Sequence, residues 1–473
     1  MTDDVFFAPI TELNARLKKR EFSAVDLVKA FGDRLETLGP KYNALALPLT
    51  KIARKRAKDV DGDLKRERFR GPLQGIPFGA KDLLSFAGYP TTWGAKPYAG
   101  QVFDTTATVL DKLDNAGSLL IGKLSMVELA GGGGYRTAAA SLTGPGLNPW
   151  DITRWSGGSS SGPGSAVAAG LVPFALGSET SGSIITPAAY CGVTGLRPTY
   201  GLVSRHGAMA LSWTLDKLGP LCRTAEDCGL VLAAIAGGDA DDPGSAGKSF
   251  YYSPQFVRPL GELKIGFAPV DREWADPAMQ PALDAAMATL KDIGVQMVEL
   301  QLPDYPWGAL ISTIIGGESA SIFEELITSG QVDQLADPSQ TEGLKSKLAI
   351  TATQYLKAMR IRSLVQRSFR EIFENIDLIV APARYDVAPK ISEPLDDDDS
   401  GRPHPATPGM TNLIPASNIA GLPGISFPCG FASGLPVGLQ LVGPPFRENN
   451  LLAVAVEFQK RTDWHKRRPP SLA

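Results

Sequence analysis

The sequence predicts an α/β protein whose sheet is covered by helices on both faces. Three observations carry this expectation. Short apolar runs of strand length alternate with longer stretches of helical periodicity. Hydrophobic residues make up 43% and charged residues 21% of the 473 positions, enough for a sizeable core. No internal repeat or low-complexity linker divides the chain. A single domain over 1–473 is expected, with N-terminal helices about 1–65, a central core about 66–235, and a C-terminal half of the same domain about 236–473.

Between residues 10 and 60, Leu13, Leu17, Leu27, Val28, Phe31 and Leu35 recur at helical spacing. Ser23 is placed to cap the second of these helices, with Asp26 three positions on in place of the usual Glu. From Leu73 to Val203 short apolar runs are separated by Gly- and Pro-rich turns. Leu119–Ile121 and Val172–Leu176 read as buried strands, and Ala166–Leu171 as a small-residue helix. Lys264–Phe267 and Leu378–Val380 are further strands, beside helical stretches at 280–293 and 342–374. Asp396–Asp399 sits in a polar loop of about 390–410 that could act as a lid. It lacks the alternating ligands and terminal Glu of a calcium loop.

Bulk charge excludes several classes. The net charge is −3, so no nucleic-acid partner is expected. The basic stretch Lys51–Arg70 is interleaved with Asp59, Asp61, Asp63 and Glu67, as on a solvated helix face. No run of about 18 apolar residues suggests a membrane span, and Met1–Asp4 does not open a signal peptide. Cys191, Cys222, Cys228 and Cys429 form no disulfide or zinc spacing and read as buried thiols in a reducing, cytoplasmic compartment. No cofactor and no metal site is expected. Gly117–Leu124 approximates a phosphate-binding loop, but Leu124 follows Lys123 where a hydroxyl would be needed.

Chemistry concentrates in Gly157–Gly162 and Gly177–Ile185, rich in Gly and Ser. Ser159 and Ser183 lie 24 positions apart, and Lys81 stands upstream in Gly75–Asp82. Acyl transfer needs a nucleophile, a base and oxyanion donors. The three histidines are poor bases: His404 lies in the polar loop, His465 near the C-terminus, and His206 has no partner motif. No G-x-S-x-G elbow is present. Lysine remains, and Lys81 ends an apolar run where burial lowers its pKa. Bringing a lysine from about 10.4 toward 7 requires about 4–5 kcal/mol, which desolvation can supply. The neighbouring Asp82 is read as structural, its side chain diverging from Lys81 on a strand. From composition alone Ser159, Ser160, Ser161 and Ser165 are interchangeable.

In order and spacing these motifs resemble the amidase signature family of serine hydrolases. The likeness continues through Pro187–Thr199, Gly421–Pro423 and Gly434–Gln440. The resemblance implies the amidase-signature fold, with a central twisted, mostly parallel mixed sheet, Ser183 as nucleophile, Ser159 as the bridging serine after a cis Gly158–Ser159 peptide, and Lys81 as base. The backbone N–H groups of Thr180, Ser181, Gly182 and Ser183 would then form the oxyanion hole. Met126, Gly132, Gly133 and Ile185 would line the substrate pocket, the glycines as part of the run Gly131–Gly134.

The chain departs from the family pattern at Glu179 in place of Asp, Ser181 in place of Gly, and Ile185 in place of Arg. The family's Thr-Asn before Met126 is also absent. With that arginine missing and an apolar stretch at 309–326, the expected activity is hydrolysis of small uncharged apolar or aryl amides. Carbamates (as in the family's urethanases) and esters extend the same chemistry. The expected partner is therefore a small-molecule amide or carbamate, with the chain a monomer or homodimer. Two alternatives stand: an A-type glutamine amidotransferase component working with partner subunits, and a catalytically silent binding protein of the same fold.

Overall fold

The computed structural model describes residues 3–395 and 409–472. Thirteen strands occur among them: β1 (Leu45–Pro48), β2 (Pro77–Lys81), β3 (Leu119–Leu124), β4 (Leu147–Asn148), β5 (Asp151–Trp155), β6 (Phe174–Glu179), β7 (Thr194–Arg197), β8 (Lys217–Cys222), β9 (Lys264–Phe267), β10 (Gln296–Glu299), β11 (Leu378–Pro382), β12 (Gly424–Ala432) and β13 (Leu435–Val442). All but β4 and β5 join one sheet of 11 strands, in the order β1-β3-β2-β6-β8-β7-β12-β13-β11-β9-β10. Helices flank this sheet. β2, β6, β8 and β13 are buried at every position, which explains why they read as short apolar runs rather than as alternating patterns.

The sheet is mixed, but parallel pairings do not dominate. β2 runs parallel to β3 and β6, and β9 runs parallel to β10 and β11. Every junction from β6 through β8, β7, β12 and β13 to β11 is antiparallel, as is β1 on β3. One cause is local. Ser433 and Gly434 both have positive φ (51° and 78°), so the chain reverses in two residues between β12 and β13.

Several boundaries differ from expectation. The helix expected at Ala166–Leu171 spans Ser161–Ala168, so it begins inside the Gly/Ser run, with Pro163 tolerated in its first turn. The strand expected at Val172–Leu176 starts at Phe174, after Pro173, and continues to Glu179. The stretch 342–374 is two helices, Pro338–Lys347 and Ala352–Ile372. A capping box of Thr351 and Gln354 starts the second one. The Ser23–Asp26 capping box, by contrast, is as expected. The aspartate run 396–399, His404 and most of the candidate lid lie outside the described residues. No helix of the described residues is long and apolar enough to cross a membrane, and the four cysteines are free and buried.

Two features of the sheet place the site. β2 and β6 are parallel neighbours in register Ala80↔Leu176, so Lys81 and Ser178 emerge at the same edge. That edge is the carboxyl end of both strands, where open α/β sheets present their crevices.

Candidate active site

Lys81 closes β2 and is fully buried. Its Nζ donates to Ser159 Oγ at 2.8 Å and to Ser178 Oγ at 2.9 Å. Burial draws its pKa down to about 7, against an upward pull from Asp216 and Glu179. Asp82 does not oppose this shift. It turns away and pairs with buried Lys123 at 2.7 Å, and it also accepts from Thr92 N and Oγ1. Lys123, the residue of the phosphate-loop decoy, therefore neutralises the carboxylate next to Lys81. Both Lys123 and Ser178 were missed in the sequence. Strand register brings them in, since Ala80 lies opposite Lys123.

Ser159 is buried and follows a cis Gly158–Ser159 peptide bond. The segment after β3 cradles it. Val127 N donates to Ser159 O at 3.1 Å, and Gly162 N donates to Ser125 O at 3.0 Å. A Cβ on Gly162 would stand 2.5 Å from Ser125 N, so only glycine allows this approach.

Ser183 lies in the turn between β6 and the helix Ile185–Cys191, and it keeps 7% exposure. Glu179 organises that turn. Its Oε2 accepts from Ile184 N (2.8 Å) and Ile185 N (2.9 Å), while Oε1 accepts from Arg197 Nη1 (2.7 Å) and Asn418 Nδ2 (2.8 Å). Burial pushes this carboxyl up, but Arg197, Asn418 and Lys217 outweigh it and hold it at about 2. Gly182 has φ +87°, and its carbonyl accepts from Thr186 N. The N–H groups of Ser181, Gly182 and Ser183 bond to no described residue. Successive free N–H groups in such a turn can receive an oxyanion. The N–H of Thr180 likewise bonds to no described residue, and its side chain donates to Asp216 Oδ1 at 2.6 Å.

A cavity of about 190 Å³ adjoins this centre, lined by Ser178, Thr180 and Asp216 together with Leu83, Met209 and Leu211. His206 is on its wall as well, and its backbone is tied to Ser204 and Thr108. The four residues expected to line the substrate pocket are not among those lining this cavity. Met126 is fully buried against Gly94. Gly132 packs on Leu211, which does line the cavity, and Gly133 on the backbone of helix Pro338–Lys347. Ile185 is fully buried, clustered with Ala189, Ala383 and Ile414. The apolar stretch 309–326 falls mainly in helix Trp307–Ile322. Its buried Glu318 accepts from Ser212, Thr214 and Tyr355 beneath the cavity wall. Lys217 of β8 is also buried, and its Nζ bonds to no described residue. No cluster of metal-ligating side chains occurs among the described residues.

A buried lysine on a serine after a cis peptide, beside a serine-bearing turn with free N–H groups, is the equipment of a serine hydrolase. A family model for amidases matches residues 26–452. The chain therefore belongs to the amidase family, the amidase signature enzymes. It is 37% identical to the A-type component of the glutamyl-tRNA(Gln) amidotransferase of Geobacillus kaustophilus, over 98% of this chain and 99% of that one. Among solved structures it is similar to the peptide amidase of Stenotrophomonas maltophilia (30% identity, 98% of each chain, TM-score 0.84). It also resembles a chain from the vestigial protein complex that reveals the origins of an s-triazine catabolic enzyme (29% identity, 96% of this chain and 98% of that one, TM-score 0.86).

Proposed function

We propose that the protein hydrolyses the C–N bond of small amides whose acyl or leaving groups are apolar or aromatic, by acyl transfer to Ser183. Neutral Lys81 takes a proton from Ser159, and Ser159 takes the proton of Ser183 as its Oγ attacks the carbonyl carbon. The developing oxyanion is received by N–H groups of the turn residues Thr180, Ser181, Gly182 and Ser183. The proton then returns to the leaving nitrogen, the amine departs, and water releases the acyl group by the same relay. Ser178 holds Lys81 in place. Carbamates and esters present the same carbonyl carbon and serve as further substrates, the urethane-cleaving reaction among them.

The observation that carries this reading is the buried Lys81 Nζ at 2.8 Å from Ser159 Oγ. Steady-state kinetics on a panel of aryl amides, aryl carbamates and glutamine tests it. Ser183→Ala should abolish turnover of every aryl substrate, and near-normal turnover by that variant would refute the assignment. A silent binding protein would turn over none of the panel.

The sequence likeness to the A-type components of amidotransferases favours a second reading, glutamine hydrolysis alongside partner subunits. The apolar surroundings of Ile185, where the family carries arginine, weigh against it. Efficient use of glutamine only with partner subunits, and no activity on aryl amides alone, would establish it.

A further inference from the structure

Arg384 follows β11, and the residues next to it pack toward the segments that carry both serines. Its neighbour Ala383 packs on Ile185, two residues after Ser183. On the other side, Tyr135, Trp155 and Tyr190 form an aromatic wall, with Trp155 6.0 Å from Tyr135 and 6.3 Å from Tyr190 between ring centroids. That wall stands against Gly158, the residue before Ser159. A Cβ there would meet Trp155 Cζ2 at 2.7 Å and Tyr135 Oη at 2.9 Å. Arg384 Nε donates to Tyr190 Oη at 3.2 Å, and its guanidinium carbon lies 5.8 Å from that ring. The same guanidinium feels the Tyr135 phenol. Arg384 keeps exposed surface. Its two Nη groups bond to no described residue.

An arginine fork fixed through Nε and open at Nη is a built receptor for an oxygen acceptor. We infer that Arg384 is a specificity-determining residue that binds a second oxygen acceptor of the substrate, a carbonyl or carboxylate remote from the scissile amide. The substrate class narrows to amides and carbamates that carry such a group beside their apolar or aryl part. This inference rests on the amide-hydrolase reading above.

The test compares three 4-nitroanilides: acetyl (no second acceptor), succinamoyl (a neutral second carbonyl) and succinyl (a carboxylate). The wild-type enzyme should favour the latter two. Arg384→Gln should reduce the kcat/KM preference for them over acetyl by about tenfold, mainly through KM, the loss expected for one charge-assisted hydrogen bond. Arg384→Lys should recover part of it, and added salt should weaken the succinyl preference most. A loss confined to succinyl supports the inference and assigns the acceptor to a carboxylate. An equal fall on all three substrates, or a wild type without preference, overturns it while leaving the hydrolase reading intact. A wild type that cleaves none of them and is not acylated at Ser183 overturns both.

Discussion

Lys81 can act as a base at neutral pH because the protein removes water from it without placing an unpaired anion beside it. The sequence showed the first half of this arrangement, an apolar run ending in lysine. It could not show the second half, because the Lys123 that neutralises Asp82 lies 42 positions from Lys81 in sequence and arrives through the register of β2 and β3. With Lys81 titrating at about 7, activity should rise with pH through that value to an alkaline plateau. The profile should survive His206→Ala, and its loss in that variant would point to histidine instead. The same burial costs stability. The folded pKa lies below the ordinary lysine value, so the unfolded chain binds more protons between about 7 and 10.4, and stability rises with pH across that window. Lys81→Met should therefore be inactive yet melt at higher temperature, with a gain largest at or below pH 7 and shrinking toward pH 10. Calorimetry across that range would show a pH-independent difference if Lys81 were not desolvated.

At the scale of elements, the turn from β6 into helix Ile185–Cys191 is shaped by one buried carboxylate. Glu179 answers two N–H groups at the helix start and leaves those of Ser181 to Ser183 free. Glu179→Gln should break the pair with Arg197 and cost about 3–5 kcal/mol of stability, since it leaves a buried cation unpaired. It should also slow turnover by one to two orders of magnitude as the turn loosens, read from denaturant melts and kcat. A variant with unaltered kcat would show that the turn holds without it. The start of the helix Ser161–Ala168, the segment beside this turn, was hidden from sequence reasoning, which placed a helix only from Ala166. It is built of Gly, Ser, Pro and small residues, a composition of loops, and its stability comes from close packing that only the assembled sheet supplies. Apolar strands such as Lys264–Phe267 and the amphipathic helix Gln280–Ile293 were legible at their true limits, because their patterns state directly which faces are buried.

Across the whole molecule, the 11-stranded sheet draws on residues from Leu45 to Val442, and apart from the small β4–β5 pair no segment of the described chain closes a sheet of its own. We expect a single cooperative unfolding transition by circular dichroism and by tryptophan fluorescence, and two resolved transitions would argue for separate folding units. The α/β class was legible from the alternation of patterns, and the mixed sheet from the family resemblance. The strand order was not, because the crossovers are decided by long-range packing. The account depends most on a covalent bond at one atom. Rapidly quenched incubation with an activated aryl ester, followed by peptide mass mapping, should find the acyl group on Ser183, with a burst of one phenol per chain that disappears in Ser183→Ala. An acyl group on another residue, or turnover with no burst and no adduct, would contradict it.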